Sequence, residues 1–432
     1  MARAKKEAAL TPEERLQAAL VPDWEWPYKL PENWCWTRMQ EIAQWGSGGT
    51  PSRKVSEYYN GDISWVKTGE LNDDYIFETE EHITQEAISH SSAKIYPTDT
   101  VVIAMYGATI GKVGILGIPA ATNQACACAI VRPSTDYKYL FYYAQSQKDD
   151  FIKKGKGGAQ PNISQEIIKF HQFPLPPLAE QHRIVNRIES LFAKLDEAKE
   201  KAQAVADSFE TRKAAILHKA FTGELTAKWR DENRINNYSY AKKRFDEVAI
   251  IKSNLVDPAE YQDYPHIAPD NIEKKTGVLL EYHTIAEDGV KSGKHRFYPG
   301  QILYSKIRPN LSKVVVVDFD GLCSADMYPI EAIGDTKCLW YFMLSENFLE
   351  QASSAGSRSV LPKINQKELS ALTVTIPDSI EEQKEIANII DSLLAKEYQV
   401  KETAEVVVEQ IDTMKKAILA RAFRGELGTN DP

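Results

Sequence analysis

The first chemistry the sequence suggests is phosphate binding, at Tyr106-Gly107-Ala108-Thr109-Ile110-Gly111-Lys112. A nucleotide-cradling loop needs one more residue between its glycines, and Ser or Thr after the lysine, where Val113 stands. The segment therefore reads as a hairpin loop between buried strands, with glycines supplying positive φ. Such a loop can still present Thr109 and Lys112 to a nucleic acid. A comparable run, Lys306-Ile307-Arg308-Pro309-Asn310-Leu311-Ser312-Lys313, offers Lys306, Arg308, Asn310 and Lys313. Lys153, Lys154 and Lys156 precede Gly157-Gly158 and Asn162, and Gly356-Ser357-Arg358 with Lys363 matches them. Each run is either a solvated loop or a phosphate-facing one.

Charge supports the second choice locally. The chain is acidic overall, 52 Lys+Arg against 61 Asp+Glu, but binding depends on where the positive charge sits. No Asp or Glu lies between Asp288 and Asp318, a span holding Lys291, Lys294, Arg296, Lys306, Arg308 and Lys313. Catalytic constellations are not apparent. Cys126-x-Cys128 alternates like strand residues without a second pair, and the histidines lack metal spacing, so no metal is expected. Asp246-Glu247 and the acids from Glu70 to Asp74 read equally well as nuclease carboxylates or as solvated faces, and no lysine-carboxylate constellation promotes the first. Neither an Asn-Pro-Pro-Tyr type motif nor a glycine-rich methyl-donor loop occurs.

The elements that must position these residues come from a chain of 432 residues, enough for two or three domains. Five cysteines, sparse and odd in number, fit a reducing, cytoplasmic setting. The most apolar stretch, 101–131, is broken by Gly107, Gly111, Lys112, Pro119, Asn123 and Gln124. It reads as several buried strands, and no membrane span is expected. Residues 1–9 carry no apolar signal core and are expected to be a flexible lead. Thr11-Pro12-Glu13-Glu14 then reads as a capping box opening a short helix to Leu20. Trp24, Trp26, Trp34, Trp36 and Trp45 make this end aromatic, for core packing or for docking a partner.

The chain is also written twice. At a shift of 202 residues Glu180-Gln181 recurs as Glu382-Gln383, and Ala220-Phe221-x-Gly223-Glu224-Leu225 as Ala422-Phe423-x-Gly425-Glu426-Leu427, with no insertion between. In the first copy Ile184, Ile188, Leu191, Leu195, Val205, Phe209 and Ile216 follow a 4-3 rhythm. In the second Ile386, Ile390, Leu393, Val400, Val407, Ile411, Met414 and Ile418 do the same. That rhythm is a coiled-coil seam, with Arg212 and Glu397 as polar exceptions. Helices over 180–221 and 382–423 would each be roughly 60 Å long. Packing on each other within the chain is the simplest arrangement, and pairing between chains the alternative. The segments before the helices share a plan rather than a sequence: a constant scaffold carrying two different readers.

These paired Glu-Gln-x-x-Ile helices ending in Ala-Phe-x-Gly-Glu-Leu resemble the repeats of type I restriction-modification specificity subunits. So does the opening, Leu20-Val21-Pro22 through Leu30-Pro31-Glu32-Asn33-Trp34. The resemblance implies an α/β protein with a pseudo-two-fold internal repeat, two target-recognition domains of mixed α/β structure joined by two long antiparallel coiled-coil helices. The expected divisions are a lead (1–30), recognition domain 1 (31–176), a central helix (177–230), recognition domain 2 (231–377), a distal helix (378–425) and a tail (426–432). It further implies a non-catalytic subunit that reads a split, asymmetric site on double-stranded DNA. The partners would be two methyltransferase subunits carrying S-adenosylmethionine and two restriction subunits using ATP and Mg, together an endonuclease and adenine-specific methyltransferase; no cofactor is expected on this chain. Half-sites would be read near whole helical turns, ~34 Å apart. A fused nuclease or methyltransferase, and a coiled-coil adaptor that ignores DNA, are the alternatives. A modification-only system would have the same sequence.

Overall fold

The computed structural model describes residues 17–155, 162–235, 240–356 and 362–430. The capping box and most of the lead lie outside them. The chain divides into two units, 1–201 with 407–432, and 202–406, so each contains part of both long helices.

In the first unit a five-stranded sheet runs Ala43–Ser47, Cys126–Val131, Val101–Ala104, Val113–Leu116, Asp74–Ile76. Its first three pairings are antiparallel and the last is parallel. The central strands are apolar throughout because both faces are covered. Val101, Ile103, Ala127 and Ala129 enter one core, and Val102, Ala104, Cys126 and Cys128 the other. This is the two-residue alternation of a strand, and it accounts for the cysteine spacing. Tyr139, Leu140, Tyr143 and Ala144 of the helix Tyr137–Ser146 close the first core, together with Ile184, Ile188 and Leu419 of the long helices and Phe423 just past the distal one. A smaller sheet orders His82–Ile83, Tyr59–Val66, Ala120–Thr122, Ile95–Tyr96.

The second unit repeats the plan. The counterpart of the first unit's five-stranded sheet has four strands, Ala249–Ile251, Met327–Ala332, Ile302–Ser305, Val314–Val316, and its other sheet has five, with Leu255–Val256 at one edge. Short pairings of Cys35–Arg38 with Gln172–Leu175, and of Lys242–Arg244 with Thr373–Thr375, tie the start of each domain to its end.

The distal helix is continuous, Ile380–Ala422, but the central one divides into Leu178–Asp207 and Phe209–Phe221. Ser208 supplies the reason. Its Oγ donates to the Val205 carbonyl at 3.0 Å, and Arg212 reaches the same carbonyl at 3.1 Å, so side chains compete with the helix's own bonds.

Within each unit the long helices run antiparallel. In the first, Lys199 pairs with Asp412 at 2.7 Å and Lys415 with Asp196 at 2.5 Å. In the second, the two polar seam residues meet each other, Arg212 Nε to Glu397 Oε2 at 2.5 Å. The Phe209 ring lies 4.7 Å from that of Tyr398. Burial of the seam is uneven. Ile184, Ile188, Phe209, Ile386, Ile390 and Ile411 are buried; Leu191, Leu195, Ile216, Leu393, Val407 and Ile418 are half-buried. Val205, Val400 and Met414 remain 39%, 45% and 48% exposed, whereas Leu217, Leu394 and Leu419, outside the expected seam, are buried. The helix ends turn toward the domain cores rather than only toward each other, which moves the apolar stripe by one residue. No described helix is long and apolar enough to cross a membrane.

Candidate functional site

Three chain segments converge at the same place in each unit. In the first, Met105 N–H donates to Ala125 O at 2.8 Å, Ile163 N–H donates to Met105 O at 2.9 Å, and Tyr106 bridges Asn162. In the second, Lys306 N–H donates to Asp326 O and Ile364 N–H to Lys306 O, both at 2.9 Å, while Ile307 bridges Lys363. Asn162 and Lys363, singled out in the sequence, are therefore neighbours of the two turns, and a third segment, 123–125 or 324–326, joins them.

The turn between the strands has one shape in both units. Gly107 and Gly111 hold φ of 62° and 75°, as the hairpin reading required. At the equivalent positions, 201 residues on, stand Arg308 and Ser312, with φ of 47° and 44°. Side chains resist that region by roughly 1–2 kcal/mol per residue. Backbone strain of this kind collects where function over-determines a loop.

The side chains differ between the two turns. In the first unit Thr109 Oγ1 donates to Tyr106 O at 2.7 Å, Lys112 is half-exposed, and Asn162 is exposed beside the exposed Gln124, which Thr50 contacts. In the second, Arg308 and Asn310 are exposed and Lys363 Nζ lies 2.8 Å from Asp326 Oδ1. Lys306 Nζ donates to Ala325 O and sits 5.2 Å above the Tyr328 ring. Burial, then the charge of Lys363, pulls the Lys306 pKa below its usual value. Other expected contacts are engaged elsewhere. Lys294 is buried on Ser292, which lowers its pKa, and Lys313 donates to Pro269 O at 2.7 Å. Arg296 lies over Tyr298, Tyr261 and Tyr264 at 4.9, 5.4 and 5.8 Å. Lys153 is exposed on the helix Lys148–Lys154; Lys156 and Arg358 lie outside the described residues.

The repeated Glu-Gln pair explains how each frame is held. Gln181 Oε1 accepts from Asp136 N–H at 2.9 Å, and its Nε2 donates to Pro176 O at 2.9 Å. Gln383 does the same with Asp335 N–H and Pro377 O, both at 2.7 Å. Each glutamine thus clamps a long helix to the capping turn of the helix that follows the central strand. A family model described as type I restriction modification DNA specificity domain matches the chain twice, over residues 31–205 and 240–410. The chain belongs to this family.

The specificity subunit of the type I restriction enzyme EcoDI of Escherichia coli is 37% identical over 313 residues, covering 67% of this chain and 70% of that protein. The EcoKI specificity subunit of E. coli K12 is 21% identical over 92% of this chain and 90% of its own. The fold also matches the HsdS subunit from Thermoanaerobacter tengcongensis, with a TM-score of 0.62 at 17% identity, covering 93% of this chain and 99% of that one. A chain from a solved type I restriction-modification system gives a TM-score of 0.68 at 17% identity, covering 93% and 100%. Each family match begins in one recognition domain and runs into the long helix after it, which is the internal repeat.

Of the N-terminal tryptophans, Trp34 and Trp36 are buried in the first core and Trp45 packs against it. Trp24 and Trp26 are 85% and 39% exposed. Among the described residues no group of three His, Cys, Asp or Glu is placed to hold a metal. Sequence reasoning passed over Asp326, Gln124 and the clamping role of Gln181 and Gln383; only the exact recurrence of the last two was a signal.

Lys154, at the end of the helix Lys148–Lys154, is tethered by Asp150 at 2.7 Å and by His171 Nδ1 at 3.0 Å. Burial and the Lys154 charge push the His171 pKa down to about 4. The ring is therefore neutral, accepting from Lys154 at Nδ1 and donating from Nε2 to Gln147 Oε1 at 3.2 Å. A histidine whose folded pKa lies below its unfolded value, about 6.5, takes up its proton more readily unfolded. Its contribution is complete above pH 6.5 and is lost as pH falls toward 4, by up to about 3 kcal/mol. Melting curves across that window are expected to show a shallower pH dependence in His171→Gln than in the parent. Equal slopes would remove His171 as the cause.

Proposed function

We propose that the chain is the non-catalytic DNA sequence-recognition subunit of a type I restriction-modification complex, each unit reading one part of a split, asymmetric site. One observation carries this: the same three-segment constellation occurs twice with unlike side chains. Thr109, Lys112, Gln124 and Asn162 face out of the first; Lys306, Arg308, Asn310, Asp326 and Lys363 form the second. Amide side chains suit adenine and cationic ones guanine, so the two would read different bases, while phosphate contacts fix register. The equal long helices would set the unspecified gap and dock two methyltransferase subunits, with the exposed Trp24 as part of that surface. S-adenosylmethionine belongs on those partners, and ATP with Mg on two restriction subunits, in the cytoplasm.

The test is to co-express the chain with the methyltransferase subunit of its own system and sequence methylated host DNA. A split motif with a fixed gap, modified only when both proteins are present, is the expected result. Methylation by this chain alone, or a stable complex with no motif, would overturn the reading. Deleting one heptad from each long helix, 198–204 and 400–406, is expected to change the gap and leave both half-sites intact. Altered half-site sequences would end the idea that the helices act as a ruler.

A further inference from the structure

We infer that Asp326 is a specificity-determining residue of the second unit, accepting a hydrogen bond from the exocyclic amine of a cytosine or adenine. The assignment rests on the DNA-reading function proposed above. Asp326 lies in the connection between the strands Gly321–Cys323 and Met327–Ala332. Its backbone is fixed at both ends: its carbonyl accepts from Lys306 N–H at 2.9 Å, and its N–H donates to Ser324 Oγ at 3.2 Å. The carboxylate itself is half-exposed, at 45%.

The surrounding charges decide what that carboxylate can meet. Lys363 Nζ lies 2.8 Å from Oδ1, whereas Lys306 Nζ stays 4.0 Å away and donates to Ala325 O instead. Oδ2 accepts no hydrogen bond among the described residues. A side chain serving only to neutralise the lysines would draw both onto its oxygens. Two cations beside one acid leave the patch positive, so it still attracts DNA, yet the carboxylate repels phosphate. On the major-groove edges the amine donors are cytosine N4 and adenine N6, and an acid accepts from them. The trio is also private to this unit. At the equivalent positions, 201 residues earlier, stand Met105, Ala125 and Asn162 in place of Lys306, Asp326 and Lys363. A difference of this kind belongs to the reader and not to the shared scaffold.

The experiment is the methylated-DNA readout of Asp326→Asn and Asp326→Ala, each co-expressed with the methyltransferase subunit beside the parent chain. The asparagine keeps the size of the side chain and guards against a folding artefact. Preference at one base pair of one half-site is expected to relax by about tenfold or more in Asp326→Ala, and to relax or move toward adenine in Asp326→Asn, whose amide suits that base, with the other half-site unchanged. Evenly weaker methylation of an unaltered motif would make Asp326 a mere counter-ion and overturn the assignment. An unaltered motif at full strength would do so as well. If the parent itself yields no split motif, the proposed function falls and the assignment with it, an outcome distinct from either of those.

Discussion

Replacing Glu382 with alanine is expected to destabilise the second unit by about 3–5 kcal/mol, the range for breaking a buried ion pair from one side. Glu382 is 2% exposed, and its Oε1 accepts from Arg230 Nη1 at 2.5 Å, Thr226 Oγ1 at 2.7 Å and Tyr240 OH at 3.0 Å. Arg230, itself 6% exposed, would keep its bond to Gly223 O at 2.6 Å but lose the opposite charge. The first unit provides the comparison. Glu180 occupies the equivalent position, 1% exposed, with neutral amides as its donors, Asn33 Nδ2 at 3.0 Å and the Asn430 amide at 3.2 Å. Its replacement by alanine is expected to cost about 1–3 kcal/mol, because the partners it leaves unpaired are neutral amides and not a buried charge. Denaturant unfolding of both variants measures the difference. Equal losses would mean that the Arg230 charge is not held by Glu382.

The second large effect is expected at Arg308, which combines an exposed guanidinium with a left-handed backbone. Arg308→Glu places like charge against the DNA at a cost of several kcal/mol, so affinity of the assembled complex should fall about a hundredfold. Arg308→Gly separates the two properties. Relief of strain should stabilise the fold by about 1 kcal/mol, while loss of one cation lowers the salt slope of binding by about 0.9. Thermal melts and binding at several salt concentrations test both. A glycine variant that melts higher and binds with an unchanged slope would show that Arg308 does not meet a phosphate.

Asp326 and Arg308 mark the limit of what the chain alone reveals. The glycines at 107 and 111 announce a turn with positive φ, and the structure has one there. Arg308 and Ser312 make the same turn with residues that carry no such signal. Likewise the acid-free span pointed to Lys294, Arg296 and Lys313 as freely as to Arg308. Burial on Ser292, a tyrosine surround and the Pro269 carbonyl set those three apart.

By itself the sequence determined the duplicated plan, the paired helices and the polar exceptions Arg212 and Glu397 in their seams, because periodic positions are read along the chain; that the two meet is a finding of the structure. Apolar strands and the Cys126-x-Cys128 alternation were equally plain, since helix and strand periods are local properties. Only the tertiary structure decided which segments meet at each turn, that Glu382 rather than Glu180 would hold a buried arginine, and that Ser208 would interrupt the central helix. Those outcomes depend on side chains up to about 150 residues apart, as Arg230 and Glu382 are. Such pairs leave no periodic trace, because contact across a folded core is set by packing and electrostatics and not by spacing along the chain.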